Sequence, residues 1–136
     1  MPLIWASLAG AAGPGSVAVD VTALRSAKGQ ILLCMTANPA MLSKCDKDPA
    51  SRKLAVPVAH ARSIRFDGLP SGTYAVALIH DENSNNKLDT SFGLPKEGFG
   101  FSRNPVIRFG PPKFAEAQFT VASGTVGEAI RVKYML

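Results

Sequence analysis

Apolar and polar positions alternate with a period of two along much of this chain, and no segment sustains the 3.6-residue rhythm of an amphipathic helix. Val17, Val19 and Val21 alternate with Ala18, Asp20 and Thr22, which predicts a strand with one buried face. After the turn "AKGQ", Ile31 to Met35 is apolar on both faces, as a central strand requires. Residues 38–57 hold prolines, clustered polar residues and no period, so they predict a long loop with one helical turn at 40–43. His60, in "VAHAR", is expected as a packed strand residue. Ser63 to Phe66 reads as a short strand with Ile64 and Phe66 on one side and Arg65 on the other, followed by the turn "DGLPSG". Thr73 to His80 is the strongest strand: Tyr74, Val76 and Leu78 line one face, and Ala75, Ala77 and Ile79 the other. It belongs mid-sheet and delivers His80 and Asp81 to its end. Val106 to Phe109 predicts another strand before the breaker "GPPK". Ala117, Phe119 and Val121, alternating with Gln118 and Thr120, then form a hairpin, through "SGT", with a last strand whose Ile130, Val132 and Tyr134 face in and whose Arg131 and Lys133 face out. About seven short strands separated by turns predict an all-β fold, an antiparallel β-sandwich. The sandwich occupies 17–136, behind an arm at 1–16.

A chain of 136 residues, 46% hydrophobic and 18% charged, suits one domain with one core and does not suit disorder. Its net charge of +5 is spread along the chain in no run longer than two, without an RNA-binding aromatic signature, so a nucleic-acid partner is not expected. The opening "MPLIWASLAGAAGPG" ends in small residues like the tail of a secretory signal but lacks a basic start, so it reads as a signal remnant or an apolar arm. No segment reaches the roughly 18 to 20 apolar residues of a membrane span. Cys34 and Cys45 fit neither a C-x-x-C redox pair nor a zinc site. A disulfide tying a strand end to the following loop is the first reading, and two reduced thiols the other. The disulfide and the signal-like start together point to the periplasm or to secretion.

The stretch "HDENSNNKLDTSFGLPKEGFGFSRN", residues 80–104, holds the candidate chemistry. Asp81, Asn83, Asn85, Lys87 and Asp89 fall at relative positions one, three, five, seven and nine of an EF-hand-like calcium loop, with Lys87 where a backbone carbonyl is used. Phe92 stands at position twelve in place of the bidentate Glu, so Glu97, or else Glu82, is the candidate for the closing carboxylate. Two amides among the ligands lower the charge, and the expected affinity is weak, about 10⁻⁴ to 10⁻³ M. The same Asp and Asn side chains also accept bonds from their own backbone, and a loop so satisfied needs no ion. Downstream, Phe99 and Phe101 lie among Gly93, Gly98 and Gly100, either as recognition anchors or as a cap on the open end of the core. His80, with Asp81, Glu82 and Ser102, has the residue types of a hydrolytic site but no nucleophile elbow.

"FDGLPSGTYAVALIHDENSNNKLDTSFGLPKEGFGFSRN" (66–104), with "RFGPPKFAEAQFTV" (108–121), resembles the bacterial domain-of-unknown-function family 2141, over nearly the whole chain from Val17 onward. The resemblance implies an exported sandwich, prealbumin-like or immunoglobulin-like, and no established activity. Family members commonly have Asn-Gly where this chain has Asn85-Asn86; Asn tolerates the left-handed backbone, so the turn is expected to survive. The expected role is a binding or accessory module with a weak calcium loop at 81–97, its partner an extracytoplasmic protein, glycan or small ligand. The alternatives are a hydrolase built on His80 and the nearby carboxylates, and a carrier of a small apolar ligand. Edge strands also make a homodimer feasible.

Overall fold

In the computed structural model, which describes residues 14–87, 90–91, 94–108 and 110–136 (backbone alone at 90, 91 and 94), the alternating segments become strands. In chain order these are β1 (Gly15–Thr22), β2 (Gln30–Thr36), β3 (Arg52–Pro57), β4 (Ile64–Leu69), β5 (Gly72–Asp81), β6 (Thr90–Ser91), β7 (Leu94–Pro95), β8 (Gly98–Phe101), β9 (Phe119–Val121) and β10 (Gly124–Arg131). A four-residue helix α1 (Phe114–Ala117) precedes β9, so Ala117 closes a helix packed on the outer cluster and the strand expected from it starts only at Phe119; 3₁₀ turns cover Leu42–Lys47 and Val58–His60. The smaller sheet has the order β10-β1-β4 and the larger β3-β2-β5-β8, while β9 also pairs with β5. β1 and β10 run parallel, and the other pairings among the described residues are antiparallel. The protein is an all-β sandwich.

Its core follows from the alternation. Val17, Val19 and Val21 of β1, Ile64 and Phe66 of β4 and Ile130 of β10 meet Ile31, Leu33 and Met35 of β2 and Val76 and Leu78 of β5, all buried. Each such side chain stabilises the fold by roughly 1.5–3 kcal/mol relative to exposure. β2 and β5 are apolar on both faces because a second cluster covers the outer face of the larger sheet: Leu42, Phe114 and Ala117 pack on Ala75, with Ala77 and Phe101 alongside. The disulfide between Cys34 and Cys45, Cα atoms 6.0 Å apart, pins the first 3₁₀ turn to β2 beside this cluster. Thr36 and Asp48 bond across the same junction at 2.5 Å.

Four local expectations are corrected. The predicted loop over 38–57 contains an edge strand, β3, whose exposed Arg52, Lys53 and Pro57 mask the half-buried Leu54 and Val56. Charge and proline are how a sheet edge is blunted, so they obscured the period. His60 is exposed in a 3₁₀ turn, because the strand resumes only at Ile64. Residues 106–108 form no strand, since the edge of β5 is already taken by β8 along Ala77–His80 and by β9 along Gly72–Tyr74; Phe109 lies outside the described residues. Finally, β9 and β10 do not form a hairpin. β9 stays on β5, and the chain crosses to pair β10 with β1 through Gly124, at φ +95°, passing so close to Gly15 that a Cβ there would sit 2.0 Å from the Ala122 carbonyl oxygen.

Beyond β10 the chain changes sheets. The Val132 N–H donates to the Thr22 carbonyl at 3.0 Å, and Lys133 then exchanges two backbone bonds with Phe99 of β8, at 2.8 and 3.0 Å. Asn104 seals the same side by accepting from the Arg131 N–H at 2.8 Å and donating to the Ala129 carbonyl at 2.9 Å. The crossing is possible because Gly98 and Gly100 present no side chain: a Cβ at Gly98 would meet Tyr134 and Val132 at 2.5 Å, and one at Gly100 would meet Ile130 at 2.8 Å.

Gly98→Ala is therefore expected to destabilise the protein by about 1–3 kcal/mol through overpacking, read as a lower urea midpoint. Reducing the disulfide is expected to cost about 3 kcal/mol, and a Cys34→Ala/Cys45→Ala variant should match the reduced wild type in the same assay.

Candidate functional site: the polar loop after β5

β5 carries two polar residues into the interior at its end, His80 and Asp81, both 0% exposed. The His80 Nε2 lies 2.8 Å from the Lys28 carbonyl oxygen and can only donate to it. Its Nδ1, 2.8 Å from the Tyr134 hydroxyl, therefore accepts from that hydroxyl in the neutral ring, and the Tyr134 oxygen in turn accepts from the Arg25 N–H at 3.0 Å. Ser102 is equally committed, donating to the Ala117 carbonyl at 2.5 Å and accepting from the Val76 N–H at 3.0 Å. The histidine and serine that sequence reading considered together for hydrolysis thus spend their polar atoms on the fold.

Asp81 starts the loop. Its Oδ1 accepts from the Asn85 N–H at 3.2 Å, and its Oδ2 from the Asn86 N–H at 2.8 Å and the Gln30 side chain at 3.0 Å. Asn83 and Asn85 repeat the gesture on a smaller scale, each accepting from the N–H two residues on, at Asn85 and Lys87. Such bonds curl the backbone so that alternate side-chain oxygens face the same turn. Asn86 takes φ +65°, the left-handed conformation that glycine would supply, and Ser84 takes φ +57°. The turn survives the Asn-Asn sequence, as expected. Gln30 also donates to the Asn86 side chain at 2.9 Å, which fixes the tip of the turn to β2.

Glu97 returns to the start of this loop. It is buried, and its Oε2 accepts from the Glu82 N–H at 2.7 Å and the Asn83 N–H at 3.4 Å. Glu82 points elsewhere, into Arg25 Nη2 at 2.6 Å and Nε at 3.1 Å and the Ser26 hydroxyl at 2.8 Å. Arg25 and Ser26 hold the Glu82 carboxyl below the usual glutamate range, against the opposing effect of burial. The structure thus brings Asp81, Asn83, Asn85 and Glu97 to one loop and puts the Lys87 backbone at its end, while Asp89, Phe92 and Gly93 lie outside the described residues. Among the described residues no three His, Cys, Asp or Glu side chains form a group that could hold a metal ion. Phe99 and Phe101 lie with ring centroids 6.3 Å apart, Phe99 buried and Phe101 half-buried in the outer cluster.

Sequence reading missed Arg25, Gln30 and Tyr134. Arg25 also donates to the Lys96 and Leu136 carbonyls and stacks 4.4 Å from the Tyr134 ring centroid. These residues come from β2, the turn before it and the C-terminal segment, and none has a local motif.

Fold and site together define a β-sandwich with an oxygen-rich turn over residues 81–87 at one end of its central strand. Residues 19–128 match the bacterial family described as "Uncharacterized protein conserved in bacteria (DUF2141)", and the chain belongs to that family. No curated protein and no solved structure matches it.

Because Glu82 is held low by its partners, the unfolded chain binds more protons in acid, and the stability Glu82 contributes is lost as pH falls through the carboxylate range. Between about pH 5 and pH 3 the urea midpoint of wild type should fall more steeply than that of Glu82→Gln.

Proposed function

We propose that the chain is an exported binding module whose loop at 81–97 takes one calcium ion weakly. Asp81, Asn83, Asn85, the Lys87 carbonyl and Asp89 would contribute oxygens, and Glu97 the closing carboxylate that position twelve lacks. The supporting observation is the nesting of the loop: oxygens at positions one, three and five curl on their own N–H groups, and position six is left-handed. Hard oxygen donors at alternate positions of one tight turn are the set calcium prefers. Glu97 adds weight, since fifteen residues separate it from Glu82, whose N–H it accepts.

Export is supported by the disulfide, since such bonds persist in oxidising compartments. Among the described residues no helix is long and apolar enough to cross a membrane. The partner class in this reading is an extracytoplasmic protein, glycan or small ligand. The remaining work of the loop would be to hold that partner's surface.

Melting in chelator, in about 10 mM calcium and in equal magnesium tests the ion. With a dissociation constant near 1 mM, calcium should add roughly 1.4 kcal/mol. That raises the midpoint by about 3–6 °C. Asp89→Ala should abolish the rise, and identical melting in calcium and chelator would refute a calcium site of that strength.

A further inference from the structure

The two large sheets end in β3, β8, β4 and β10, and three of these edges are guarded against another chain. β8 is covered by the C-terminal segment, where Lys133 and Phe99 exchange backbone bonds. β10 is covered toward its end by Asn104, and its first half holds Gly124 and Gly127, which weaken a ladder. β3 presents exposed Arg52 and Lys53 and lacks an N–H at Pro57. β4 pairs with β1 on one side only, and its exposed side chains are one of each sign, Arg65 and Asp67. We infer that two copies of this chain associate through β4, antiparallel about Phe66, into a homodimer held by Arg65–Asp67 pairs across the interface.

The charges select this register. Antiparallel pairing about Phe66 sets Arg65 opposite the partner's Asp67, and the two-fold axis repeats the pair with the roles exchanged. Both residues lie on the solvent face of the smaller sheet, because Ile64 and Phe66 point into the core. Opposite charges across a ladder attract, and like charges there oppose pairing. Antiparallel pairing about Arg65 or about Asp67 would bring that residue against its own copy, and parallel pairing in register would do so for both. A slip of one position would turn the buried face outward.

Each charge is only partly used within its own chain. Arg65 donates from Nε and Nη2 to Asp67 Oδ1, at 3.3 and 3.2 Å, and from Nη2 to the Ser16 and Thr125 hydroxyls at 3.0 and 3.4 Å. Among the described residues Arg65 Nη1 and Asp67 Oδ2 form no hydrogen bond, and the two side chains are 51% and 66% exposed. The Ser16 and Thr125 contacts already hold the guanidinium in place, which lowers the ordering cost of meeting a second carboxylate. A planar guanidinium with a spare donor suits that task. The Asp67 carbonyl accepts from the exposed Arg52 side chain at 2.9 Å, a bond that a partner strand's N–H would replace. Gly68, at φ +68°, turns the chain after Asp67, so the shared ladder is short and the dimer weak.

Sedimentation velocity of the full chain in chelator, from about 10 µM to 1 mM, reads the association without any ion. Wild type should pass from monomer toward dimer over that range, with concentration-dependent amide shifts at 64–67. Arg65→Asp and Asp67→Arg each turn both attractive pairs into repulsive ones, so each variant alone should associate at least about tenfold more weakly. Both side chains are exposed, so the variants keep the fold, which amide spectra at low concentration check. Mixed in equal amounts, the two variants should recover the dimer, because each then faces the opposite charge. That recovery separates a contact between copies from the Arg65–Asp67 bond within one chain, which stays broken in both variants. A wild type that stays monomeric at 1 mM, a single variant that associates like wild type, a mixture that stays monomeric, or shifts on β3 in place of β4 would each overturn the proposal.

Discussion

A fully buried imidazole at the end of the central strand is the constraint around which this end of the molecule is arranged. A buried polar group without partners costs about 1–3 kcal/mol, so both nitrogens of His80 must be met from the protein. Lys28 meets one and Tyr134 the other, which ties the turn before β2 and the C-terminal segment to β5 across separations of 52 and 54 residues. Tyr134 then fixes the Arg25 backbone, and the Arg25 side chain reaches Glu82 and Lys96 on the two arms of the loop. The loop is therefore held from beneath by a chain of polar contacts, each dependent on the one before.

The glycines of β8 make this arrangement sterically possible. Along β8 the side chains alternate faces, so Gly98 and Gly100 leave room on the side where Val132, Tyr134 and Ile130 pass, while Phe99 and Phe101 lie on the other. The aromatic-glycine pattern thus serves two packing jobs at once. It lets the C-terminal segment join the two sheets, and it adds apolar surface to the outer cluster under α1.

Loop stability and the proposed ion binding draw on the same acidic groups at this end. Asp81 and Glu97 are buried and accept backbone N–H groups, so they stabilise the loop in the absence of any ligand. That preorganisation reduces the ordering cost of taking an ion or a small ligand. It also means that removing either carboxylate disturbs the fold together with the site, whereas Lys28 and Lys96 contribute their backbones to the fold and leave their ammonium groups to solvent.

The period-two alternation made β1, β2, β4 and β5 legible in the sequence, because burial on one or both faces writes itself into consecutive side chains. The oxygen spacing from Asp81 to Lys87 was legible for a similar reason, since an Asx turn is a local event bonding residues two to five apart. β3 was hidden because its edge position selects charge and proline, and β8 because its alternate residues are glycines that no hydrophobic pattern records. Tyr134 was legible only as an inward-facing position, and Arg25 and Gln30 left no signal at all. By itself the sequence determined the all-β class and the polar loop, each specified by neighbouring residues, and it favoured the disulfide that the structure closes between Cys34 and Cys45. Only the tertiary structure decided that β10 pairs with β1 and not β9, that His80 is spent on the fold, and that Arg25 reaches both arms of the loop, because these depend on which distant backbone groups and side chains the packing brings together.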